Sequence, residues 1–266
     1  MDYSTILPLL VKGYNTDSNG TSNNTLPVSS TTISWNNTFD TGRGNVIALD
    51  GVETGRPQVY VADTGANVTV SVAGVQVISG VNASDFAPYA NPGNYFIIPL
   101  KQPGGQTLSC SLTGGSGSHG FQVLAFYENK YATPENKTAL LTSKLKRRYQ
   151  AFFQTVTTNA ANQISASFVI PQSQGNVVGI EFVSYLNTAG NNTDLGLSTF
   201  TAYVNGVSIM ENVLSIYGMN AATRPTIFPV FIKGGSTMFF NVNASNCAVS
   251  PNFNVGIKVY YDASND

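Results

Sequence analysis

Residues that carry most enzyme and metal chemistry are scarce in this sequence. Its 266 residues include one histidine, His119, and two cysteines, Cys110 and Cys247. Two cysteines are too few for a disulfide framework, and we expect buried or half-buried thiols. One histidine cannot supply the several imidazole ligands of a cupin-like metal site, and His119 lies in a Gly/Ser-rich loop. We therefore expect no metal site, no cofactor and no enzymatic activity.

Charge is also scarce. Charged residues make up 10% of the chain, against roughly 25% in typical soluble domains. The formal net charge of −1 gives no global attraction to nucleic acid or to an anionic membrane. Asn, Thr, Ser and Gly take the place of charge, and this mix suits short strands, turns and large protein–protein contacts.

Long hydrophobic runs and nucleotide-binding motifs are missing as well. The first apolar run, from Ile6 to Val11, is interrupted by Pro8 and is too short to span a bilayer. It follows no basic segment, so we expect no secretory signal. The sequence contains no GxxxxGK[ST], no GxGxxG between a strand and a helix, no HExxH and no CxxC.

What the chain does contain is a repeat of itself. The stretch "TVSVAGVQV", from Thr69, returns as "TAYVNGVSI", from Thr201. Five matches follow the same order with offsets of 130 to 132 residues, which chance similarity between strands would not maintain. The matched segments begin at Ile33 and Ile164, Gly44 and Gly175, Thr69 and Thr201, Ile98 and Phe228, and Phe121 and Phe253. The pattern predicts two copies of one domain, about 30–128 and 162–262.

Each copy is predicted to be all β. Segments such as "ANVTVSV" alternate apolar and polar residues with period two, as half-buried strands do. Gly74 and Gly206, after Ala73 and Asn205, occupy the predicted two-residue hairpin turns. A second pair of turns is predicted at Gly104–Gly105 and Gly234–Gly235. About seven or eight strands per copy are expected, at the spacing typical of sandwiches and jelly rolls.

One helix is predicted between the copies, over about 134–149. Thr133 suits the N-cap, Pro134 the first helical position, and apolar residues follow at helical spacing. The basic residues Lys144, Lys146, Arg147 and Arg148 fall near its C-terminus. One interpretation is a solvated helix face that complements the helix dipole. The other is a local patch that faces phosphate, in lipid headgroups or in nucleic acid.

Asp50 and Glu181 occupy matching positions in the two copies. Their symmetry indicates a shared structural role, such as a hydrogen bond at a strand end. A glycosidase-like pair of carboxylates in one cleft is the alternative that the sequence leaves open.

Two jelly-roll-like copies joined by a helix carrying "KLKRRYQAFFQ" resemble the double-jelly-roll major capsid proteins. These build tailless icosahedral bacterial viruses with an internal membrane, of the corticovirus, tectivirus and finnlakevirus types. The stretch "RRYQAFFQ" is similar to an Arg-Arg-aromatic stretch at the same junction of the corticovirus protein. The resemblance covers the duplicated regions 33–127 and 164–261, the linker helix and a short N-terminal arm.

The resemblance implies an all-β fold of two tandem eight-stranded jelly rolls joined by a short helix. The domains would be an N-terminal arm (1–29), a first jelly roll (30–130), a linker with the helix (131–161) and a second jelly roll (162–266). Three chains would form a pseudo-hexameric trimer that tiles a shell over an internal membrane. The partners would be other capsid trimers, penton and minor capsid proteins, and lipid on the inner side. The protein would be made in the host cytoplasm and reside in the virion, without sequence-specific binding of nucleic acid.

Two groups of residues are candidates for the inner face of such a shell. One is the apolar arm, with Ile6, Leu7, Leu9 and Leu10, and the other is the basic cluster, with Lys144, Lys146, Arg147 and Arg148.

Two other functions remain open. A tandem carbohydrate-binding module of lectin or adhesin type could use the Asn-rich loop 186–194, and an enzyme of peptide-glycan amidase type would need a carboxylate cleft between the barrels.

Overall fold

The computed structural model describes residues 10–15, 32–54, 66–82, 98–114, 120–128, 133–157, 163–186, 198–214, 227–243 and 252–263. These residues are mostly β-strand, as the sequence predicts, with one α-helix. The strands before the helix form the first half: β1 (Leu10–Asn15), β2 (Thr32–Thr38), β3 (Val46–Thr54), β4 (Ala66–Val72), β5 (Val75–Asn82), β6 (Ile98–Gln102), β7 (Thr107–Gly114) and β8 (Gly120–Tyr127).

The helix α1 (Pro134–Leu145) connects the first half to the second. The second half consists of β9 (Tyr149–Thr157), β10 (Gln163–Val169), β11 (Val177–Leu186), β12 (Thr199–Val204), β13 (Val207–Leu214), β14 (Ile227–Ile232), β15 (Thr237–Asn243) and β16 (Asn252–Tyr261). A single 3₁₀ turn, Gln172–Gln174, precedes β11.

The strand order is the same in both halves. In the first half, β1-β8-β3-β6 and β2-β7-β4-β5 are hydrogen-bonded neighbours, and in the second half β9-β16-β11-β14 and β10-β15-β12-β13 repeat these orders. Irregularities recur at matching places, since the register shifts between Val46 and Ala48 in β3 and between Val177 and Gly179 in β11. One eight-stranded sheet spans the two halves, because β1 pairs with β13 in parallel.

The four predicted turns are present and lie at one end of the strands, which we call the turn end. Ala73 and Gly74 have φ of 52° and 78°, and Asn205 and Gly206 have 48° and 82°, as a type I′ hairpin turn requires. Gly105 and Gly235 donate to the carbonyls of Phe39 and Ile170 at 2.8 Å. These bonds join the two-glycine turns to the ends of β2 and β10.

Both halves present their turn ends on the same side of the molecule. Leu10, where β1 begins, pairs with Tyr127, where β8 ends, and Val46 of β3 pairs with Gln102 of β6. β13 begins after the turn at Asn205 and Gly206 and runs parallel to β1. Since parallel neighbours start at the same end of a sheet, the halves stand side by side with equal polarity.

Each half has a buried apolar core, and β8 contributes to both. Val123, Ala125 and Tyr127 belong to the first core, and Leu124 and Phe126 belong to the second. All residues from Gln122 to Tyr127 are buried. The uninterrupted apolar run 123–127 in β8 reflects this burial on both faces.

Three predicted boundaries differ from the structure. The predicted arm, 1–29, contains β1, which is a central strand because the edges of β8 and β13 both pair with it. The predicted linker, 131–161, contains β9, which forms the edge of its sheet next to β16. The predicted helix extends to 149 but ends at Leu145, because Arg147 adopts a φ of 55° and the chain then enters β9.

Candidate functional site

The seam between the halves is a polar and tightly packed surface around β1. A Cβ atom added to Gly13 would lie 2.3 Å from the backbone oxygen of Asn212, so only glycine fits. The Gln122 side chain, buried in the seam, donates to the same oxygen at 2.8 Å. Sequence reasoning missed these residues, because glycine in a strand signals a close backbone approach without naming the partner.

Four charged side chains join the halves beside this seam. Lys12 of β1 contacts Asp40 at 2.9 Å and Glu211 of β13 at 3.6 Å. Arg43 contacts Asp40 at 3.0 Å and also pairs with Glu211. The four side chains are 13% to 32% exposed. Partial burial limits screening by salt, so this network stabilises the contact more than a surface pair does.

Two tyrosines lie under the network. The hydroxyls of Tyr14 and Tyr127 are 2.6 Å apart, and the backbone N–H of Asp40 donates to the Tyr127 hydroxyl at 3.0 Å. Burial raises the pKa of both phenols above the usual range, and the neighbouring Tyr127 adds to the effect on Tyr14. Both hydroxyls therefore remain protonated at neutral pH.

The second candidate surface is the C-terminal end of α1. The helix begins as predicted, with the Thr133 hydroxyl accepting from the N–H of Asn136 at 3.3 Å. At its other end, the backbone N–H of Arg148 donates to the carbonyl of Ser143 at 2.8 Å, and that of Arg147 donates to the carbonyl of Lys144 at 3.2 Å. This is a Schellman motif, in which an arginine occupies the position that usually holds glycine.

The buried face of α1 rests on the second half, and its other faces are exposed. Ala139 and Leu140 pack with Val178 and Tyr260 at the turn end of that half. Leu141 and Leu145 are 58% and 76% exposed, which is unusual for leucine on a helix that packs on a sheet.

The predicted basic cluster lies at the same place. Lys144, Lys146 and Arg147 are exposed and Arg148 is half-buried at the end of α1. Tyr149, 46% exposed, lies at the beginning of β9, and the ammonium of Lys258 sits 4.6 Å from the centre of its ring. We call Leu141, Lys144, Leu145, Lys146, Arg147, Arg148 and Tyr149 the helix-end patch.

The predicted apolar arm is only partly described. Ile6, Leu7 and Leu9 lie outside the described residues. Leu10 begins β1 and pairs with Tyr127 across the sheet. Leu10 is therefore part of a central strand and not of a separate arm.

The predicted turn glycines have two different roles. Gly74, Gly105, Gly206 and Gly235 have positive φ values of 78° to 85°. Gly104 and Gly234 lack a positive φ, but a Cβ there would lie 2.3 Å from the carbonyl oxygen of Asp40 and 2.7 Å from that of Gly175. The same close approach thus occurs in both halves.

The matched acids Asp50 and Glu181 have different surroundings. Asp50 is fully buried and accepts from the N–H of Gly51 at 2.8 Å. Glu181 accepts from the hydroxyl of Tyr260 at 2.8 Å and lies 3.6 Å from the ammonium of Lys258. Both carboxylates thus take part in hydrogen bonds within their own half.

Within the described residues, no group of three or more His, Cys, Asp or Glu side chains is arranged to hold a metal ion. His119 and Cys247 lie outside those residues. Cys110 is a buried free thiol whose pKa is raised by burial. None of the helices that the structure describes has the length and apolarity needed to cross a membrane.

Comparisons with known proteins add little. No family model and no curated protein matches the chain. The CUB1-EGF-CUB2 domains of rat MASP-1 are 10% identical, with coverage of 92% of this chain and 96% of that chain and a TM-score of 0.24. A conserved protein of unknown function from Pseudomonas aeruginosa is 9% identical, with coverage of 86% of this chain and 77% of that chain and a TM-score of 0.22. A structure of PNGF-II is 10% identical, with coverage of 87% of this chain and 60% of that chain and a TM-score of 0.21. Similarity this low carries no argument about fold family or function.

Proposed function

We propose that this chain is a structural subunit of a virus shell, built from two tandem jelly rolls that arose by duplication. Its trimers would tile an icosahedral capsid over an internal membrane, together with penton and minor capsid proteins, and its place would be the virion. The proposal assigns the chain no catalytic role and no cofactor. Its mechanism is geometric, because two similar barrels in each chain let a threefold trimer occupy a position with six neighbours.

The observation that carries this proposal is the repetition of strand order with equal polarity. Eight strands in two four-stranded sheets are the composition of a jelly roll, and each half has that composition in the same order. Matched backbone hydrogen bonds support duplication. The N–H of Ala73 donates to the carbonyl of Thr107 at 2.8 Å, and the N–H of Asn205 donates to the carbonyl of Thr237 at 3.0 Å. A tile would need its two barrels upright with the same ends facing inward, and the equal polarity that follows from parallel pairing of β1 with β13 supports this requirement.

Uncharged lateral surfaces add support. The outward side chains of β2, β7 and β4 are Ser, Thr and Asn, including Ser34, Asn36, Ser109 and Ser71. The matching face of the second half carries Val169, Tyr203 and Phe239, and Val169 is 62% exposed. Depletion of charge is a feature of protein–protein interface cores.

The test is the solution mass of the purified chain by light scattering. We expect a stable species of three times the 28.2 kDa chain mass, or larger shell-like assemblies. Substitution of Phe239 by Glu would place a charge on a lateral face and is expected to lower the mass, whereas Thr138→Glu on the exposed face of α1 is a control. A clean monomer over a wide concentration range would contradict the proposal, and specific binding on a glycan array would then favour the carbohydrate-binding alternative.

A further inference from the structure

The helix-end patch combines two properties that rarely occur together on a protein surface. Leu141 and Leu145 are separated by one helical turn and lie on the same stripe of α1, both largely exposed. The exposed cation Lys144 directly precedes Leu145 in the chain, and exposed Arg147 follows two residues after it. An apolar stripe flanked by basic side chains is the composition of helices that lie in the interface of an anionic bilayer.

The remaining charges at the turn end are of both signs. Lys101 and Lys233 are exposed next to the two-glycine turns. Of the acids described there, Asp40 pairs with Lys12 and Arg43, and the exposed Glu128 carboxylate accepts from Asn45 at 2.9 Å. Half-buried Asp262 lies beside the patch, since the N–H of the preceding Tyr261 donates to the carbonyl of Arg148 at 2.9 Å.

Apolar exposure also recurs at this end. Val75 and Val207, which follow the two hairpin turns, are 66% and 68% exposed. The turn end therefore presents isolated apolar side chains in both halves and on α1, and on α1 the basic cluster lies beside them.

We infer that the helix-end patch binds an anionic lipid surface directly, with Leu141 and Leu145 inserted among the acyl chains and Lys144 and Arg147 placed at the headgroup phosphates. This inference rests on the proposed shell function, which puts one end of the barrels over a membrane. A lipid surface is favoured over nucleic acid because phosphate contacts alone give exposed leucines no role. It is favoured over a protein partner because lysine is depleted in protein interfaces.

The backbone geometry of the patch suits this role. The short helix packs at the turn end of the second half, and the Schellman motif turns the chain at Arg147 so that β9 begins at Tyr149. The ammonium of Lys146 donates to the carbonyl of Ala263 at 2.9 Å, which fixes the C-terminal segment beside the patch. The patch thus contacts the C-terminal end of the second half.

The experiment is flotation of the full-length protein with vesicles of phosphatidylcholine alone or of phosphatidylcholine with phosphatidylserine. We expect binding only to the vesicles that contain phosphatidylserine. The double variant Lys144→Gln/Arg147→Gly is expected to lower the partition coefficient roughly 30-fold, since each basic residue near an anionic surface is worth about 1 kcal/mol. Glycine at position 147 keeps the turn that the positive φ requires.

A second double variant, Leu141→Ser/Leu145→Ser, retains every charge and is expected to lose the binding that remains at high salt. Equal binding to both kinds of vesicle, or unchanged binding by both patch variants, would overturn the inference. Binding of the wild-type protein to an oligonucleotide but to neither vesicle would overturn it too.

Light scattering of the same samples separates this inference from the proposed function. A trimer that binds neither vesicle contradicts only the lipid inference. A monomer that binds anionic vesicles through the patch contradicts only the shell function.

Discussion

At the scale of single residues, the turn end depends on glycines that leave room for a neighbouring backbone. We expect Gly104→Ala and Gly234→Ala each to lower the free energy of unfolding by about 1–3 kcal/mol, because the obstructing atoms are backbone oxygens. Denaturant titration measures the effect. Gly42→Ala is the control: its φ of 86° causes strain, but no atom lies within 4 Å, so only about 1 kcal/mol should be lost. Equal losses at all three positions would argue against steric exclusion.

Buried phenols and one buried thiol make stability sensitive to alkaline pH. Burial raises the pKa of Tyr14, Tyr127, Tyr260 and Cys110, and the hydrogen bond to Glu181 raises that of Tyr260 further. A folded-state pKa above the unfolded one means that the unfolded chain loses its protons first. The stabilisation is complete below the unfolded values, about 8.5 for Cys and 10 for Tyr, and is lost as the pH rises above them.

We expect the free energy of unfolding to fall by about 1.4 kcal/mol per pH unit for each such group above these values. Tyr14→Phe should make the alkaline slope shallower, at a cost of about 1 kcal/mol at pH 7 from the lost hydroxyl hydrogen bond. Urea titrations from pH 7 to pH 11 measure both quantities. An unchanged slope in the variant would show that Tyr14 ionises equally in both states.

At the scale of elements, α1 ends in a motif that its sequence does not favour. Arg147 has a φ of 55°, whereas glycine adopts this conformation without a steric penalty. We expect Arg147→Gly to raise the melting temperature by about 2–4 °C, which corresponds to roughly 1 kcal/mol for a protein of this size. Lys146→Gly, which also removes a charge but at a φ of −81°, should lower it. A lower melting temperature for Arg147→Gly would mean that the arginine makes contacts worth more than its strain.

At the scale of the whole molecule, β1 is the described strand that joins the two halves. It pairs with β8 of the first half and with β13 of the second. Gly13→Ala would force its Cβ against the backbone oxygen of Asn212, so we expect a loss of about 1–3 kcal/mol. The halves should also become less coupled, and calorimetry should show a van't Hoff enthalpy below the calorimetric enthalpy. Gly80→Ala in β5 is the control: its φ of 60° causes strain, but no atom lies within 4 Å, so about 1 kcal/mol should be lost without uncoupling the halves. One fully cooperative transition in Gly13→Ala would contradict a coupling role for β1.

The sequence by itself determined the local features of this protein. Asn205–Gly206 and its counterpart form hairpin turns because both residues tolerate positive φ, and Thr133 and Pro134 begin a helix because they satisfy its first N–H groups. The basic side chains of the helix-end patch were predicted as a local cluster for the same reason, since neighbours in sequence on a helix end remain neighbours in space.

Only the tertiary structure decided which strand edges meet. "LVKGYN" was interpreted as part of an arm and "YQAFFQTVT" as part of a linker, yet they are β1 and β9. Their conformation depends on open edges at β8, β13 and β16, which lie far away in sequence. The exposure of Leu141 and Leu145 was also decided there, because the face of α1 that is buried depends on the sheet beneath it. A strand's hydrogen bonds are made with another segment, so its own residues specify the need for a partner but not which partner satisfies it.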